Sequence, residues 1–289
     1  MITDTAIPDS PTAPTTTQDA SSEVGVELRY ALTSRPSPLP ASPASGAYHK
    51  ADLTIVLTRR PSDAIECGGI TVSVPVGTGA AALAAETTGM TASTDPSGWQ
   101  ATVATSGQVT FAPPGGTTQI GRQRGLALLL RTMPVNRTVG RALLTVTVRW
   151  RIPGESGENS WSTETVTLPI SKFPPTFSLG ELHASPGQIS HGDSVTLNWQ
   201  AAGGDFRLIY DNADICVTGH DSYTAHNITR DTLFQLRGTS SSASGELEAV
   251  RSAWVTVNTP DIVVQSLTVT KSVVTDRLAT PEYTVPSFT

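Results

Sequence analysis

Cysteine is nearly missing from this chain: Cys67 and Cys216 are the only two in 289 residues. They fall in different halves, so a disulfide framework is excluded and both are expected to be ordinary thiols. Aromatic residues make up 6% and charged residues 15%, too little charge and periodicity for long amphipathic helices. No apolar run approaches the ~20 residues that a membrane-spanning helix needs; the richest short run is Leu126 to Leu130. The N-terminal MITDTAIPDSPTAPTTTQ has neither a basic n-region nor an apolar h-region. Classical export is therefore not expected from this stretch, and a cytoplasmic location is expected, with lysis, a specialised apparatus or a longer precursor as routes of release. The motifs G-x-x-x-x-G-K-[ST], G-x-S-x-G, H-E-x-x-H and C-x-x-C and the EF-hand loop are all missing from the sequence. Several large enzyme classes lose support, and no cofactor or metal is implied.

What the chain has instead is Thr, Ser, Ala, 24 Gly and 21 Pro, with 38% hydrophobic residues. That mixture suits many short strands joined by turns. The length suggests two domains of roughly 100 to 150 residues. Charge is uneven within the net −6: residues 1–23 carry four acidic and no basic groups, residues 24–173 nine and thirteen, and residues 174–289 twelve and six. Such asymmetry orients self-association or an encounter with a charged partner.

Residues 1–23 contain almost no large apolar side chain, so they are predicted to form a disordered arm. Alternation starts at Val24, with Val26, Leu28, Tyr30 and Leu32 on one face. The Pro-rich stretch from Ser34 to Gly46 is predicted to be a long loop. Strands resume with Leu53, Ile55 and Leu57, a turn at Arg59-Arg60-Pro61, and Ile70, Val72, Val74 and Val76, where Pro75 suggests a sheet edge. The segment from Gly77 to Met90, GTGAAALAAETTGM, is predicted to be a short crossover helix. Further strands are expected at Trp99 to Thr105, Val109 to Ala112, Gly125 to Thr132, Ala142 to Ile152 and Trp161 to Ile170, seven or eight in all. In the clearest of them Ala142, Leu144, Val146, Val148, Trp150 and Ile152 should face inward and Arg141, Thr145, Thr147, Arg149 and Arg151 outward.

Ser171-Lys172-Phe173-Pro174-Pro175 marks the expected boundary between a domain at 24–172 and one at 173–259. Beyond it, GDSVTLNW (Gly192 to Trp199), DFRLIY ending in Tyr210, DSYT, LFQLRG and AWVTVN follow in order. From Phe173 to Asn258 this order resembles bacterial Ig-like and fibronectin type III-like modules. The resemblance implies that Trp199 is the core tryptophan and that Ala253, Val255 and Val257 lie on the closing strand. Phe234 stands where a tyrosine is common, so a tyrosine corner is not implied. No family is recognised for residues 24–173, whose strand count favours another sandwich over a barrel. The C-terminal extension, 260–289, opens with DIVVQSLTVTKSVVT and reads as one more strand, packed within the chain or paired with another chain. The fold class is therefore all-β: two tandem β-sandwich modules, the second Ig-like, with a disordered N-terminal arm and an extended C-terminal strand or tail.

Candidate chemistry is sparse. His49, His183, His191, His220 and His226 read as turn histidines, although His191 and His220 lie beside Asp193 and Asp221 in a spacing that metal or acid/base work could use. Asp205, Asp211 and Asp214 surround one strand and turn, as oxygen ligands to calcium would, but match no known loop. Glu155, Glu158 and Glu164 offer carboxylate pairs for glycoside hydrolysis in a Gly-rich turn without an evident cleft. Asn136-Arg137-Thr138 and Asn227-Ile228-Thr229 match the glycosylation sequon, which matters only in a secretory pathway. The candidate interaction residues are Arg141, Arg149 and Arg151, a basic stripe for a carboxylate-bearing partner, and Trp99 and Trp161, aromatic platforms near turns. Trp150 and Trp199 are expected in the core. The low pI, about 5.3, disfavours nucleic acid as a partner. The reading is a noncatalytic structural, adhesive or assembly protein, not an enzyme, whose partner is another protein or a second copy. A carbohydrate-binding module is the alternative, and a hydrolase with a loop-built site the next.

Overall fold

The computed structural model describes residues 28–59, 64–121, 125–243 and 245–258. The predicted arm, the strand start at Val24, the Arg60-Pro61 part of the expected turn and the C-terminal extension lie outside the described residues. The first eleven strands are β1 (Leu28–Arg35), β2 (Leu39–Pro40), β3 (Lys50–Arg59), β4 (Ile65–Ser73), β5 (Thr91–Asp95), β6 (Gln100–Val103), β7 (Gln108–Ala112), β8 (Thr118–Ile120), β9 (Leu126–Pro134), β10 (Gly140–Arg151) and β11 (Ser162–Phe173). They make two facing sheets, β1-β3-β9-β5 and β2-β11-β10-β4-β7-β6, with β8 joined to β4. Side-chain alternation puts Leu53, Ile55 and Leu57 of β3, Leu128 and Leu130 of β9, and Leu144, Val146 and Val148 of β10 into one core at 0% exposure. Each such burial is worth ~1.5–3 kcal/mol.

Four details differ from the sequence reading. No helix forms at 77–90. The carbonyls of Gly77 and Gly79 accept from the Asn136 amide, that of Thr78 from the Thr138 hydroxyl, and those of Ala80 and Ala82 from the Lys172 ammonium. With its acceptors captured and Leu83 and Ala84 fully buried, so short a segment gains nothing from helical bonds that nucleate poorly. The strand before Pro75 is not an edge: β4 ends at Ser73 and lies between β10 and β7. Trp150 is only half-buried, packing against the edge of the core at the strand's last turn inward, and Ile152, 56% exposed, lies past the end of β10 at Arg151. Finally, eleven strands replace seven or eight, since Pro- and Gly-rich stretches hold short ones; the 34–46 loop itself contains β2, which pairs parallel with β11.

Ten more strands follow: β12 (Ser178–Leu179), β13 (His183–Ser185), β14 (Gln188–Ile189), β15 (Asp193–Asn198), β16 (Ala201–Ala202), β17 (Asp205–Tyr210), β18 (Ala213–Cys216), β19 (Ser222–Ile228), β20 (Thr232–Ser242) and β21 (Gly245–Val257). Sheets β13-β15-β19 and β14-β21-β20-β17-β18 enclose a second core, and β12 pairs with β16. Trp199, Val255 and Val257 are buried as expected, Ala253 packs against the cluster, and Phe234 is fully buried against Tyr210. This order is that of an Ig-like sandwich.

The two modules repeat one plan. β1-β3-β9 corresponds to β13-β15-β19, and β2-β11-β10-β4 to β14-β21-β20-β17, with a short parallel pairing at β2–β11 and again at β14–β21. Both carry the same bulge. Between Ala51 and Leu53 the β3–β9 register slips by one residue, leaving Asp52 opposite Arg131 and Thr132; between Asp193 and Val195 the β15–β19 register does likewise, leaving Ser194 opposite His226 and Asn227. Thr132 and Asn227 both have φ of 55°, and the facing side chains bond across: Arg131 to Asp52 at 2.8 Å, and Ser194 Oγ with His226 Nδ1 at 2.9 Å. A bulge terminates pairing and increases local twist.

The junction is short. Lys172 is fully buried in the first module, whereas its neighbour Phe173 belongs to the second core and stacks on Phe177 at 4.4 Å. Val139, in the β9–β10 turn, packs against that same core. Arg251 of β21 donates to the Ser37 carbonyl at 2.7 Å.

Candidate functional site

The outer face of the large first-module sheet is the surface on which the sequence candidates meet. Register places Thr102, Thr110, Thr71, Thr147 and Thr165 in one row across β6, β7, β4, β10 and β11. Gln108, Ser73, Thr145 and Thr167 form the next row. Thr147 and Thr165 share a hydroxyl hydrogen bond at 3.2 Å. These β-branched side chains favour strand while keeping the face polar. At one end Leu143 stands 54% exposed.

At the other end Arg149 and Arg151 both stack on the Trp161 indole, with guanidinium carbons 4.4 and 4.5 Å from the ring centre. Trp161 reaches them because β4 carries Gly68, where an added Cβ would lie 2.6 Å from the indole. The same glycine is the extra residue in the β4–β10 register. Glu66 accepts from Arg151 at 2.6 Å, both side chains being 20% exposed, and Glu158 from Arg149 at 3.3 Å. The first pair is sheltered and fixes its guanidinium; the second is a solvent-exposed contact worth under ~1 kcal/mol. An open hollow of about 560 Å³ at the same end of β10 is lined by Trp150, Ile152, Glu155, Ser156, Ser160 and Ser162, and by none of the residues of the stack. Trp and Arg are the residue types that dominate binding energy at protein interfaces.

Arg141 and Trp99 are not part of this group. Arg141 is an exposed residue at a cleft of about 430 Å³ between the modules, with Leu39, Ile170, Glu248 and Arg251. Trp99 is 9% exposed in the first core and forms one wall of a separate hollow with Pro96, Ile120 and Leu126. The basic stripe is thus split along β10, and of the two predicted platforms only Trp161 reaches this face.

Several of the other candidates are engaged locally. Asp214 pairs with Arg207 at 2.6 Å and Asp211 with Arg230 at 3.0 Å. Glu164 accepts from the Tyr30 hydroxyl at 3.1 Å; burial raises both groups above their ordinary values. Among the described residues no three His, Cys, Asp or Glu side chains gather where they could hold a metal ion. Cys67 is buried and Cys216 exposed, both free, and desolvation pushes the Cys67 thiol up to about 11. Asn136 is buried with its amide committed to Gly77 and Gly79, so the first sequon is closed; Asn227 is exposed. Among the described residues no helix is long and apolar enough to cross a membrane. Sequence reasoning missed Glu66, Gly68 and Leu143, although the double glycine inside a strand is a signal of close backbone approach.

No protein-family model and no curated protein matches the chain. Among solved structures it is similar to murine CEACAM1b, at 13% identity over 80% of this chain and 99% of that one, with a TM-score of 0.24. It is also similar to BcpA, the major pilin subunit of Bacillus cereus, at 10% identity over 80% and 67%, TM-score 0.31, and to the Pseudomonas aeruginosa CupB2 chaperone, at 10% over 74% and 97%, TM-score 0.22. Likenesses of this size decide nothing about activity. The fold assignment rests on the strand order.

Proposed function

We propose that the chain is a noncatalytic assembly protein that associates with a second copy of itself through the outer face of the first module's large sheet. The observation that carries this reading is the Arg149–Trp161–Arg151 stack on the sheet's outer face, braced by Glu66 and seated over Gly68. An indole held by two guanidiniums is preorganised, so little side-chain entropy is lost on docking. The threonine rows beside it are flat and uncharged, which lowers the desolvation cost of covering them. The carbohydrate reading is less well supported: Trp99 is buried and the Trp161 ring is already stacked by arginines.

Sedimentation velocity across a concentration series tests the proposal. The full chain is expected to associate reversibly, and the R149E/R151E variant to dissociate at least ten times more readily. Unchanged association in that variant would remove the face from consideration.

A further inference from the structure

Among the described residues, the long strand beside the stack has an open flank. β11 pairs with β10 along its whole length, from Trp150↔Ser162 to Gly140↔Lys172, but on the other side β2 covers only Lys172 and Phe173. Pro169 offers no N–H to an incoming strand, so among the described residues Ser162–Leu168 is the stretch able to take one. Its sequence, STETVTL, presents Thr163, Thr165 and Thr167 outward and buries Val166 and Leu168. Across the seam between β1 and this stretch the Tyr30 hydroxyl donates to Glu164, and Leu28 and Leu32 of β1 are half-buried. The corresponding flank of β21 is less receptive: it carries Glu246, Glu248 and Arg251, and Arg251 touches the first module at Ser37. Charges on an edge oppose strand addition.

We infer that this flank receives residues 266–272, Ser-Leu-Thr-Val-Thr-Lys-Ser, from the C-terminal extension of a second copy, by β-augmentation. The occupant rests on pattern and reach. Leu267 and Val269 alternate with Thr268 and Thr270, so a strand laid beside β11 would extend the threonine rows outward and turn its apolar pair toward the half-buried seam. From Arg251, at the contact with the first module, β21 advances about 20 Å to Val257, and residues 259–265 span at most ~25 Å. The same molecule's β11 is thus harder to reach than a neighbour's.

This inference deepens the proposed function and rests on it, and the test separates the two. In a Cys216→Ser background, chains bearing Thr165→Cys are mixed with chains bearing Thr268→Cys under mild oxidation, and a chain lacking residues 261–289 is sedimented alongside. A cross-linked heterodimer, and at least tenfold weaker association of the shortened chain, are expected. Cross-linking confined to one molecule carrying both cysteines would overturn the trans arrangement. A shortened chain that associates as tightly as the full one, while R149E/R151E does not, would overturn the strand and leave the face. A full chain that is monomeric throughout would overturn both.

Discussion

The two modules solve the same topological problem with different amounts of sequence. The second closes its sandwich with little more than the shared strands, passing from β17 through the short β18 to β19, whereas the first inserts β5, β6, β7 and β8 between β4 and β9. The insertion widens one sheet to seven strands and generates the long polar rows on its outer face. Arg149, Arg151 and Trp161 lie at the end of those rows. The second module's carboxylates Asp211, Asp214 and Glu248 are instead paired with its own arginines. The comparison assigns scaffold to the shared strands and recognition to the elaboration, in keeping with function residing in sites placed on folds.

The largest expected effects break one module at a time. Phe111 and Phe234 are both fully buried, one in each core, so Phe111→Ala and Phe234→Ala should each cost ~3–5 kcal/mol. Because the cores are distinct clusters, differential scanning calorimetry should show one transition moving in each variant while the other stays within a few degrees. A single transition moving equally in both would mean that the Phe173 junction fuses them into one cooperative unit.

Lys172 gives a pH-dependent contrast, for the second module buries no lysine. Desolvation lowers its ammonium from 10.5 to about 8. Below that value the group is charged both folded and unfolded; between about 8 and 10.5 the folded chain releases a proton that the unfolded chain keeps, so stability contributed at this site rises with pH. Cys67 acts oppositely, since its thiol is held up to about 11 and unfolding is favoured once the unfolded thiol ionises. Comparing the parent with Lys172→Met removes the cysteine effect: urea denaturation should show the difference moving toward the parent by up to ~3 kcal/mol across that window.

Smaller effects sharpen the picture at the stack and at the repeated bulge. Gly68→Ala must lift the indole by pushing a Cβ into it; a loss of ~1–2 kcal/mol and a red shift in tryptophan emission are expected. At the bulge the Asp52 carboxyl is held below its usual range, chiefly by the Thr132 N–H and then by Arg131. Its contribution is present above the ordinary carboxylate range and is lost as pH falls through the lowered value. Asp52→Ala should therefore cost about 1 kcal/mol near neutrality, and nothing in strong acid. Ser194→Ala, at the equivalent position, should cost less and show no such acid dependence.

Strand periodicity was readable wherever one face is buried. Leu53, Ile55 and Leu57, and Ala142 to Val148, alternate because a one-residue slip would turn the core outward. The Ig-like order of the second module was legible from Trp199 and the strands after it. What escaped was decided by contacts between distant segments. The 77–90 stretch has helical composition, yet Asn136, Thr138 and Lys172 claim its carbonyls. Ile152 and Trp150 depart from the pattern because β10 ends at Arg151, where the core beneath it runs out. Of the five candidate site residues, Arg149, Arg151 and Trp161 come together across a hairpin, where sequence proximity helps; Arg141 and Trp99 share their chemistry but not their place.

Hydrogen exchange of the full chain, at concentrations below and above its association midpoint, tests most directly whether recognition resides on the elaborated module. Added protection is expected on β10, β11, the β4 segment around Gly68 and residues 266–272, with β13 to β21 unchanged. Protection gained on the second module's sheets, or none gained on β10 and β11, would contradict it.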